Sequence, residues 1–246
     1  MPPNDFETSN LQRISRHGGQ AVTTTPDSSA SDASPRYRIE GGHPLAGSIQ
    51  VAAAKNAINK QLVASLLTDQ PCVFTNLPRI REIDVILDML SEVGTRYTWL
   101  SADTLQVETP EIKSTVVGQR HSGFNRIPIL LLSPLIHRAG EATVPTVGGD
   151  RIGARPVDFH IDGLQKMGAR IETSAGSFRA KADTLRGVIV TLPYPSVGAT
   201  ENLIISATLA RGTTVIENAA VEPEILDTIL FLQKMGALIS VDTDRR

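Results

Sequence analysis

The sequence contains a single cysteine, Cys72, among its 246 residues. One cysteine excludes a disulfide within the chain and the common zinc sites built from several cysteines, which fits a reducing compartment. No apolar run approaches the roughly 20 residues that a membrane-spanning helix needs, and the first residues lack the apolar core of a signal peptide. We therefore expect a cytoplasmic protein that does not bind a membrane.

The sequence also lacks an excess of charge and is poor in aromatic residues. Its 24 lysines and arginines nearly balance 26 aspartates and glutamates, and aromatic residues make up 4% of the chain. Proteins that bind nucleic acid usually carry a basic field. We therefore predict no nucleic-acid partner, and any site for an anion must be local.

Composition divides the chain near residue 36. Residues 1–36 are rich in Ser, Thr, Asp and Pro and lack apolar periodicity, which predicts a disordered tail. From Tyr37 onward, short apolar segments alternate between extended and helical patterns and are separated by Gly, Pro and Asn. We expect folded structure to begin there.

A Leu-x-x-x-Gly pattern followed by a short apolar segment occurs three times. Its glycines, Gly94, Gly168 and Gly236, are 74 and 68 residues apart, and each suits the left-handed position that closes a helix before a strand. A helix end, a polar turn and a strand recur upstream of each. The pattern predicts three modules of helix, strand, loop, helix and strand in one compact α/β domain. The alternative is an accidental similarity between helix ends.

Three cations lie where a helix is predicted to begin. Lys55 marks a change from an extended to a helical pattern, Arg126 precedes an apolar helix, and Arg155 precedes a helix predicted to start at Pro156. A bare cation there is disfavoured by about 0.3–1 kcal/mol, whereas the free N–H groups of a helix start hold an anion. Together the cations predict a convergent phosphate or carboxylate site. Taken singly, each also fits a solvated surface position.

The helix after Pro156 is predicted to bury one apolar stripe. Val157, Ile161 and Leu164 follow at the spacings of four and three that a helix face requires. His160 is expected on the outer face of this helix.

Four stretches of the sequence resemble one family of enzymes. They are AAAKNA, GGDRIGARPVDFHIDGL, PSVGATENLIISATLARGTTVIENAAVEPEILDT and FLQKMGA. In this order and spacing they are similar to the UDP-N-acetylglucosamine 1-carboxyvinyltransferase family of enolpyruvyl transferases, from about Tyr37 to the end. The family that makes 5-enolpyruvylshikimate 3-phosphate is less similar, since it has Asp-Lys-Ser where this chain has Ala54-Lys55-Asn56.

The resemblance implies a fold and a reaction. The fold is one domain of an inside-out α/β barrel, with three modules around a pseudo-threefold axis. The reaction transfers the enolpyruvyl group of phosphoenolpyruvate to the 3'-hydroxyl of UDP-N-acetylglucosamine and releases phosphate, as the first committed step of peptidoglycan synthesis. It implies these two substrates, no cofactor and no metal.

The resemblance also implies roles for particular residues. Lys55, Arg126 and Arg155 match catalytic residues around the phosphate and carboxylate of phosphoenolpyruvate, and Asn56 matches an asparagine that contacts the aminosugar. The residues that match those holding the uridine and diphosphate are Arg155, Pro156, Val157, Asp158, Ser196, Val197 and Gly198.

Asp150 occupies the loop position at which many members have a cysteine. In the family this residue transfers protons to and from the enolpyruvyl methylene carbon, and fosfomycin alkylates the cysteine. A carboxyl group can transfer protons when burial raises its pKa toward the working pH, but it is a poor target for alkylation. We therefore predict catalysis by Asp150 and insensitivity to fosfomycin. The alternative role for Asp150 is that of a turn residue beside glycines.

Three further positions bear on the comparison. Tyr194 stands where a close relative often has a lysine near the nucleotide, and the loss of a cation weakens diphosphate binding. Glu222 and Glu224 resemble family positions in the third module, although acidic residues also suit a first helical turn.

Family members have two three-module domains that close on the substrates, and this chain matches one. Residues 37–50, with a strand at Tyr37 to Glu40, are expected to belong to the other domain, and residues 51–246 form the three-module domain. The aspartate base and a further arginine of the family would lie in the missing domain. We expect either an incomplete N-terminal portion of the transferase, completed by another chain or by self-association, or a non-catalytic nucleotide-sugar-binding or interaction domain.

Overall fold

The computed structural model describes residues 38–149 and 156–242. The chain divides into two units, Met1–Ile49 and Gln50–Arg246. Residues 38–49 of the first unit are exposed and form neither helix nor strand. The strand expected at Tyr37 to Glu40 is therefore not formed over residues 38–40, because no described segment pairs with them and a strand needs such a partner for its backbone groups. The disordered tail predicted for residues 1–36 lies outside the described residues.

The described part of the second unit contains six α-helices and eight strands. The helices are α1 Lys55–Ala64, α2 Arg81–Glu92, α3 Leu132–Ala139, α4 Asp158–Lys166, α5 Val197–Ala207 and α6 Pro223–Lys234. The strands are β1 Cys72–Phe74, β2 Arg96–Trp99, β3 Leu105–Glu108, β4 Glu141–Pro145, β5 Arg170–Ser174, β6 Ser177–Lys181, β7 Ile189–Thr191 and β8 Val215–Glu217. A 3-10 turn, Pro128–Leu131, leads into α3.

The first two modules have sheets of the same topology. In each, the last strand lies in the centre, so that β3 pairs antiparallel with β1 and β2, and β6 pairs antiparallel with β4 and β5. Strand β7 precedes the third module and runs parallel to β8, which lies within that module. In the same way, Val116 precedes the second module and forms a parallel bridge to Thr143 of β4. The described sheets are small and form no closed barrel.

The helix ends confirm the threefold repeat. All three glycines have positive φ, at 115° for Gly94 and 103° for both Gly168 and Gly236. In each module the N–H after the glycine donates to the carbonyl of the leucine four residues before that glycine, with an N to O distance of 3.0 Å. The same hydrogen bond at three helix ends argues against an accidental similarity, and the predicted α/β class of repeated helix and strand modules is confirmed. The strand expected after Gly236 in the third module is not formed over residues 237–242.

The first helix of each module lies inside the domain, and the second lies outside. Every residue of α5 from Ala199 to Ser206 is buried, and α3 is buried from Leu132 to Ile136. The second helices, α2, α4 and α6, bury one face and expose the other. A helix that is buried on all sides is typical of a domain core.

Two predictions about α4 are wrong. The helix begins at Asp158 rather than at Pro156, because Val157, with φ −114° and ψ 11°, lies outside helical geometry. His160 is buried, with 4% of its surface exposed, instead of lying on the outer face. Its ring packs beside Gly198 of α5, where a Cβ would lie 3.4 Å from two ring atoms. Leu164 is buried as expected.

Candidate functional site

A pocket of about 720 Å³ lies where the N-terminal ends of α1 and α5 meet the segment before α3. The structure brings most of the predicted site residues to this pocket. Those that line it are Lys55, Asn56, Arg126, Pro156, Asp158, Ser196, Val197 and Gly198.

Three of the predicted site residues are not among those seen to line the pocket. Val157 is half-buried and packs against the hydrophobic core. Asp150 and Arg155 lie outside the described residues, so that their predicted roles stay predictions.

The helix starts at the pocket present backbone donors. The first turn of α1 follows Ala54, which makes no side-chain cap, and Lys55 is the first residue of the helix, as predicted. At α5 the Oγ of Ser196 accepts a hydrogen bond from the N–H of Ala199 at 3.4 Å. The first N–H groups of a helix have no partner within the helix, so these ends suit an anionic ligand.

Of the three cations predicted to bind an anion, the structure describes Lys55 and Arg126, and contacts within the pocket orient both side chains. Lys55 Nζ lies 2.9 Å from Glu82 Oε2. The Nη2 of Arg126 donates to the backbone carbonyl of Pro156 at 3.0 Å. The second contact joins the segment before α3 to the segment before α4. An incoming anion therefore meets side chains that are already positioned.

Acidic residues from the start of α6 lie on another wall. Glu222 is the residue before α6, Glu224 lies in its first turn, and both line the pocket. Asn56 Nδ2 donates to Glu224 Oε1 at 3.3 Å. Tyr194 also lines the pocket and is 65% exposed. The positions that resemble the family in the third module thus face the same pocket as Lys55 and Asn56.

Sequence reasoning missed a buried ion pair in the pocket wall. Lys60 of α1 and Glu201 of α5 line the pocket, with Nζ 3.1 Å from Oε2, and Glu201 is completely buried. Burial raises the pKa of Glu201 to about 7, although the charge of Lys60 acts in the opposite direction. The signal in the sequence was Glu201, a charged residue in a helix whose other buried residues are uncharged.

His160 lines the pocket as a buried, neutral ring. Burial, followed by the charge of Arg126, lowers its pKa to about 3. Its Nδ1 has no hydrogen-bond partner among the described residues. A neutral imidazole beside Gly198 shapes the start of α5 without adding charge.

Hydrogen bonds position the chain just before residue 150. The N–H of Gly148 donates to the carbonyl of Asn125 at 2.9 Å, and that of Gly123 donates to the carbonyl of Thr146 at 3.0 Å. A Cβ at Gly148 would overlap the backbone of Gly123. The segment that carries Arg126 is thereby tied to the residues that lead to Asp150.

The described residues contain neither a cluster of metal ligands nor a membrane-spanning helix. No group of three or more His, Cys, Asp or Glu side chains in residues 38–149 and 156–242 is placed to hold a metal ion. Within the same ranges, none of the helices is long and apolar enough to cross a membrane.

The fold is that of an enolpyruvyl transferase domain. Residues 39–246 match the family model described as EPSP synthase (3-phosphoshikimate 1-carboxyvinyltransferase), and the chain belongs to this family. The resemblance to enolpyruvyl transferases is thereby confirmed.

Curated relatives identify the branch of the family to which the chain is similar. It is 50% identical over 215 residues to UDP-N-acetylglucosamine 1-carboxyvinyltransferase of Protochlamydia amoebophila (strain UWE25), covering 85% of this chain and 46% of that protein. It is 48% identical over 211 residues to the protein of the same name from Chlamydia pneumoniae, covering 85% and 46%. The chain spans about half the length of the curated relatives it matches.

Solved structures agree on the fold. The enolpyruvyl transferase NikO from Streptomyces tendae matches with a TM-score of 0.70 at 21% identity, over 81% of this chain and 47% of that one. EPSP synthase from Acinetobacter baumannii matches with a TM-score of 0.62 at 16% identity, over 81% and 46%. At these identities the likeness supports the fold alone.

Proposed function

We propose that the chain is the N-terminal part of a UDP-N-acetylglucosamine 1-carboxyvinyltransferase. The observation that carries this proposal is the meeting of Lys55, Asn56, Arg126 and the start of α5 at one pocket. These positions match those that hold phosphoenolpyruvate and the nucleotide sugar in the family. The identity to relatives that bear this name supports the same substrates.

The anionic substrate is assigned to the cationic end of the pocket. Lys55 and Arg126, with Arg155, bind the phosphate and carboxylate of phosphoenolpyruvate through charge-assisted hydrogen bonds, and the first N–H groups of α1 add further donors. Glu82 releases Lys55, or shares it, when the anion arrives.

The nucleotide sugar is assigned to the other helix starts. Asn56 contacts the aminosugar, while Pro156 and Asp158 hold the uridine and diphosphate together with Ser196, Val197 and Gly198. The capped N-terminus of α5 favours the negative charge of a diphosphate.

The proposed reaction proceeds by addition and elimination. The 3'-hydroxyl oxygen of the sugar bonds to the substituted carbon of phosphoenolpyruvate, and Asp150 donates a proton to the methylene carbon, which becomes a methyl group. A base outside the assigned residues takes the hydroxyl proton. The methyl group then returns a proton to Asp150 as the bond to phosphate breaks, which restores the double bond and releases phosphate.

The biological setting is part of the same proposal. We infer that the complete enzyme acts in the cytoplasm and commits its sugar nucleotide to peptidoglycan. Its loss would then affect the cell wall, and with it cell shape and division.

Phosphate release tests the proposal. The purified chain is given phosphoenolpyruvate and UDP-N-acetylglucosamine, alone and with the separately purified C-terminal half of the Protochlamydia amoebophila relative. Turnover with the added half, abolished by Asp150→Ala, is expected. Turnover by the chain alone, with the same dependence on Asp150, would make self-association the source of the missing groups. Nucleotide-sugar binding without turnover in either mixture would instead support the non-catalytic binding domain.

A further inference from the structure

Glu92, the last residue of α2, contacts a short turn formed by residues 118–121. Its Oε2 accepts a hydrogen bond from the backbone N–H of Gly118 at 2.6 Å. Its Oε1 lies 2.7 Å from Nε of Arg120 and 3.3 Å from Nε2 of His121. Both oxygens of one carboxylate therefore contact the same turn. Glu92 itself is not among the residues that line the pocket.

The contact between Glu92 and the turn is close. A Cβ at Gly118 would lie 3.1 Å from Glu92 Oε1, so a side chain there would displace the carboxylate. His121 is 4% exposed, although its neighbours Arg120 and Ser122 are exposed. Burial acts to raise the pKa of Glu92, but its backbone hydrogen bond and the two basic side chains lower this pKa overall. The carboxylate is therefore ionised at neutral pH and is a strong acceptor.

Only side chains of α2 join residues 118–121 to another element by hydrogen bonds or ion pairs, within the part of the chain that the structure describes. Beside the three contacts of Glu92, Asp88 lies one helical turn earlier and accepts from Arg120 Nη2 at 3.0 Å. The chain on either side of the turn is bonded to β4 and to the residue after it. Loss of the Glu92 carboxylate would therefore release the turn while the chain around it stays attached.

After the turn, the chain is bonded to the residues that lead to position 150. The N–H of Gly123 donates to the carbonyl of Thr146 at 3.0 Å, and Ser122 Oγ lies 2.8 Å from Thr146 Oγ1. The carbonyl of Asn125 accepts from the N–H of Gly148 at 2.9 Å. A movement of the turn therefore acts directly on a set of hydrogen bonds at the pocket.

The same segment carries part of the pocket wall. Phe124, Asn125 and Arg126 line the pocket, and so does Gly149. Arg126 follows the turn closely along the chain, so a shift of the turn moves the backbone from which its guanidinium extends. A guanidinium binds two oxygens of an anion only in one orientation, and a small displacement weakens that grip.

We propose that Glu92 is a positioning residue that holds Arg126 in the orientation that binds an anion. Glu92 contacts no substrate and acts through the backbone of residues 118–126. This inference rests on the proposed function, in which the anion is phosphoenolpyruvate.

The sign of the effect separates positioning from simple electrostatics. A carboxylate near the pocket repels an anion, so removal of its charge alone would strengthen the binding of phosphoenolpyruvate slightly. Release of the turn that Glu92 holds would weaken the binding. A purely structural role would lower the melting temperature and leave the affinity of the folded chain unchanged.

Calorimetric titration of the full chain with phosphoenolpyruvate compares wild type with two variants. Glu92→Gln keeps the size of the side chain and removes its charge, whereas Glu92→Asp keeps the charge and withdraws it by one methylene group. Glu108→Gln on β3 is the matched control, because Glu108 is also half-buried and pairs with Arg96 at 2.9 Å in the same module. Thermal unfolding verifies that each variant is folded at the temperature of the titration.

Hydrogen exchange provides a second readout that needs no ligand. The amides of Gly123 and Gly148 report the bonds between the segment and the residues before position 150. The amide of Ala169, which donates to the carbonyl of Leu164 at a different helix end, is the reference. In Glu92→Gln the two glycine amides are expected to exchange about fivefold faster, with no change at Ala169.

Glu92→Gln and Glu92→Asp are each expected to bind phosphoenolpyruvate about tenfold more weakly than wild type, while Glu108→Gln keeps the wild-type affinity. Equal or tighter binding by folded Glu92→Gln would overturn the inference, and so would unchanged exchange at both glycines. If the wild type does not bind phosphoenolpyruvate but exchange still accelerates in Glu92→Gln, the proposed function is contradicted, whereas the hold of Glu92 on the segment is supported.

Discussion

Arg126 and Pro156 are joined across the pocket by a hydrogen bond from Nη2 to the backbone carbonyl, 3.0 Å long. The two residues stand 30 positions apart, one before α3 and the other before α4. The guanidinium therefore does two things at once, since it adds positive charge and holds the segment that enters α4. Only arginine has enough donors in a fixed plane for both tasks.

Replacing Arg126 should weaken the binding of phosphoenolpyruvate, and the loss should be larger for alanine than for lysine. Arg126→Lys keeps the charge but cannot donate to Pro156 and grip two anion oxygens together, so a loss of about tenfold is expected. Arg126→Ala also removes the charge and should lose more. Calorimetric titration of the full chain measures both, with Arg170→Lys on exposed β5 as the control. Equal affinity in Arg126→Ala and wild type would contradict the role of this residue.

The positions of these cations could be predicted from the sequence, and their wider surroundings could not. Lys55 and Arg126 stand beside helix starts that proline, glycine and a change of periodicity mark locally. The Leu-x-x-x-Gly repeat is local in the same way, and it predicted the three helix ends correctly. Lys60 and Glu201 lie 141 positions apart in the chain, and no local pattern predicts that they meet.

His160 shows how a local pattern can be misread. It lies three residues after Val157 and four before Leu164, which places it within the apolar stripe of α4 rather than on the outer face. Its polarity suggested exposure. The space beside Gly198, which accommodates the ring, arises only when α4 packs on α5.

Neutralising Glu82 should strengthen the binding of inorganic phosphate. Glu82 Oε2 lies 2.9 Å from Lys55 Nζ and competes with an anion for that cation. Because the Lys55 side chain is 53% exposed, the pair is worth little, and Glu82→Gln should raise the affinity by about twofold to fivefold. Titration at low and high salt gives the measurement, and the gain should shrink as salt screens the site. A weaker affinity in Glu82→Gln would contradict this prediction and show that orientation of Lys55 by the carboxylate outweighs its competition with the anion.

Fosfomycin should not label the chain. A carboxyl group at residue 150 offers no thiolate, and Cys72, the single cysteine, is half-buried with a thiol pKa raised by burial. Its thiol is therefore held in the less reactive, protonated form. Intact-mass measurement after incubation with fosfomycin and UDP-N-acetylglucosamine is expected to find the unmodified mass. A family member with a cysteine at the loop position serves as the positive control, and an adduct on this chain would refute the prediction.

The pKa of Glu201 predicts a stability that falls as the pH rises. In the folded chain burial holds this pKa at about 7, whereas in the unfolded chain the carboxyl loses its proton near its ordinary value of 4.5. Between these values the folded state binds more protons, so the free energy of unfolding decreases by about 2–3 kcal/mol. The contribution is complete below pH 4.5 and is lost above pH 7.

Urea unfolding of wild type and Glu201→Gln at pH 5 and pH 8 measures this contribution. The wild type should lose about 2–3 kcal/mol more than the variant over that interval. Other groups that titrate in the interval affect both proteins alike. Parallel losses in the two proteins would mean that Lys60 keeps the carboxyl ionised in the folded chain.

Gly94, Gly168 and Gly236 close equivalent helices, so the effects of replacing each with alanine can be compared directly. Each has positive φ, so replacement by alanine should cost about 1–2 kcal/mol at every site. The sites differ in space, because a Cβ at Gly94 would lie 2.6 Å from the carbonyl oxygen of Glu111, one at Gly168 would lie 3.8 Å from that of Thr184, and Gly236 has no atom within 4 Å.

Gly94→Ala should therefore be the most destabilising of the three variants, with Gly168→Ala and Gly236→Ala close to each other. The backbone at Glu111 has to move to admit the methyl group, and the N–H of Lys113, which donates to the carbonyl of Val93, moves with it. Urea unfolding under one set of conditions ranks the variants directly. Equal losses at all three sites would mean that left-handed strain alone decides the cost, and that the chain around Glu111 yields freely enough to admit a side chain.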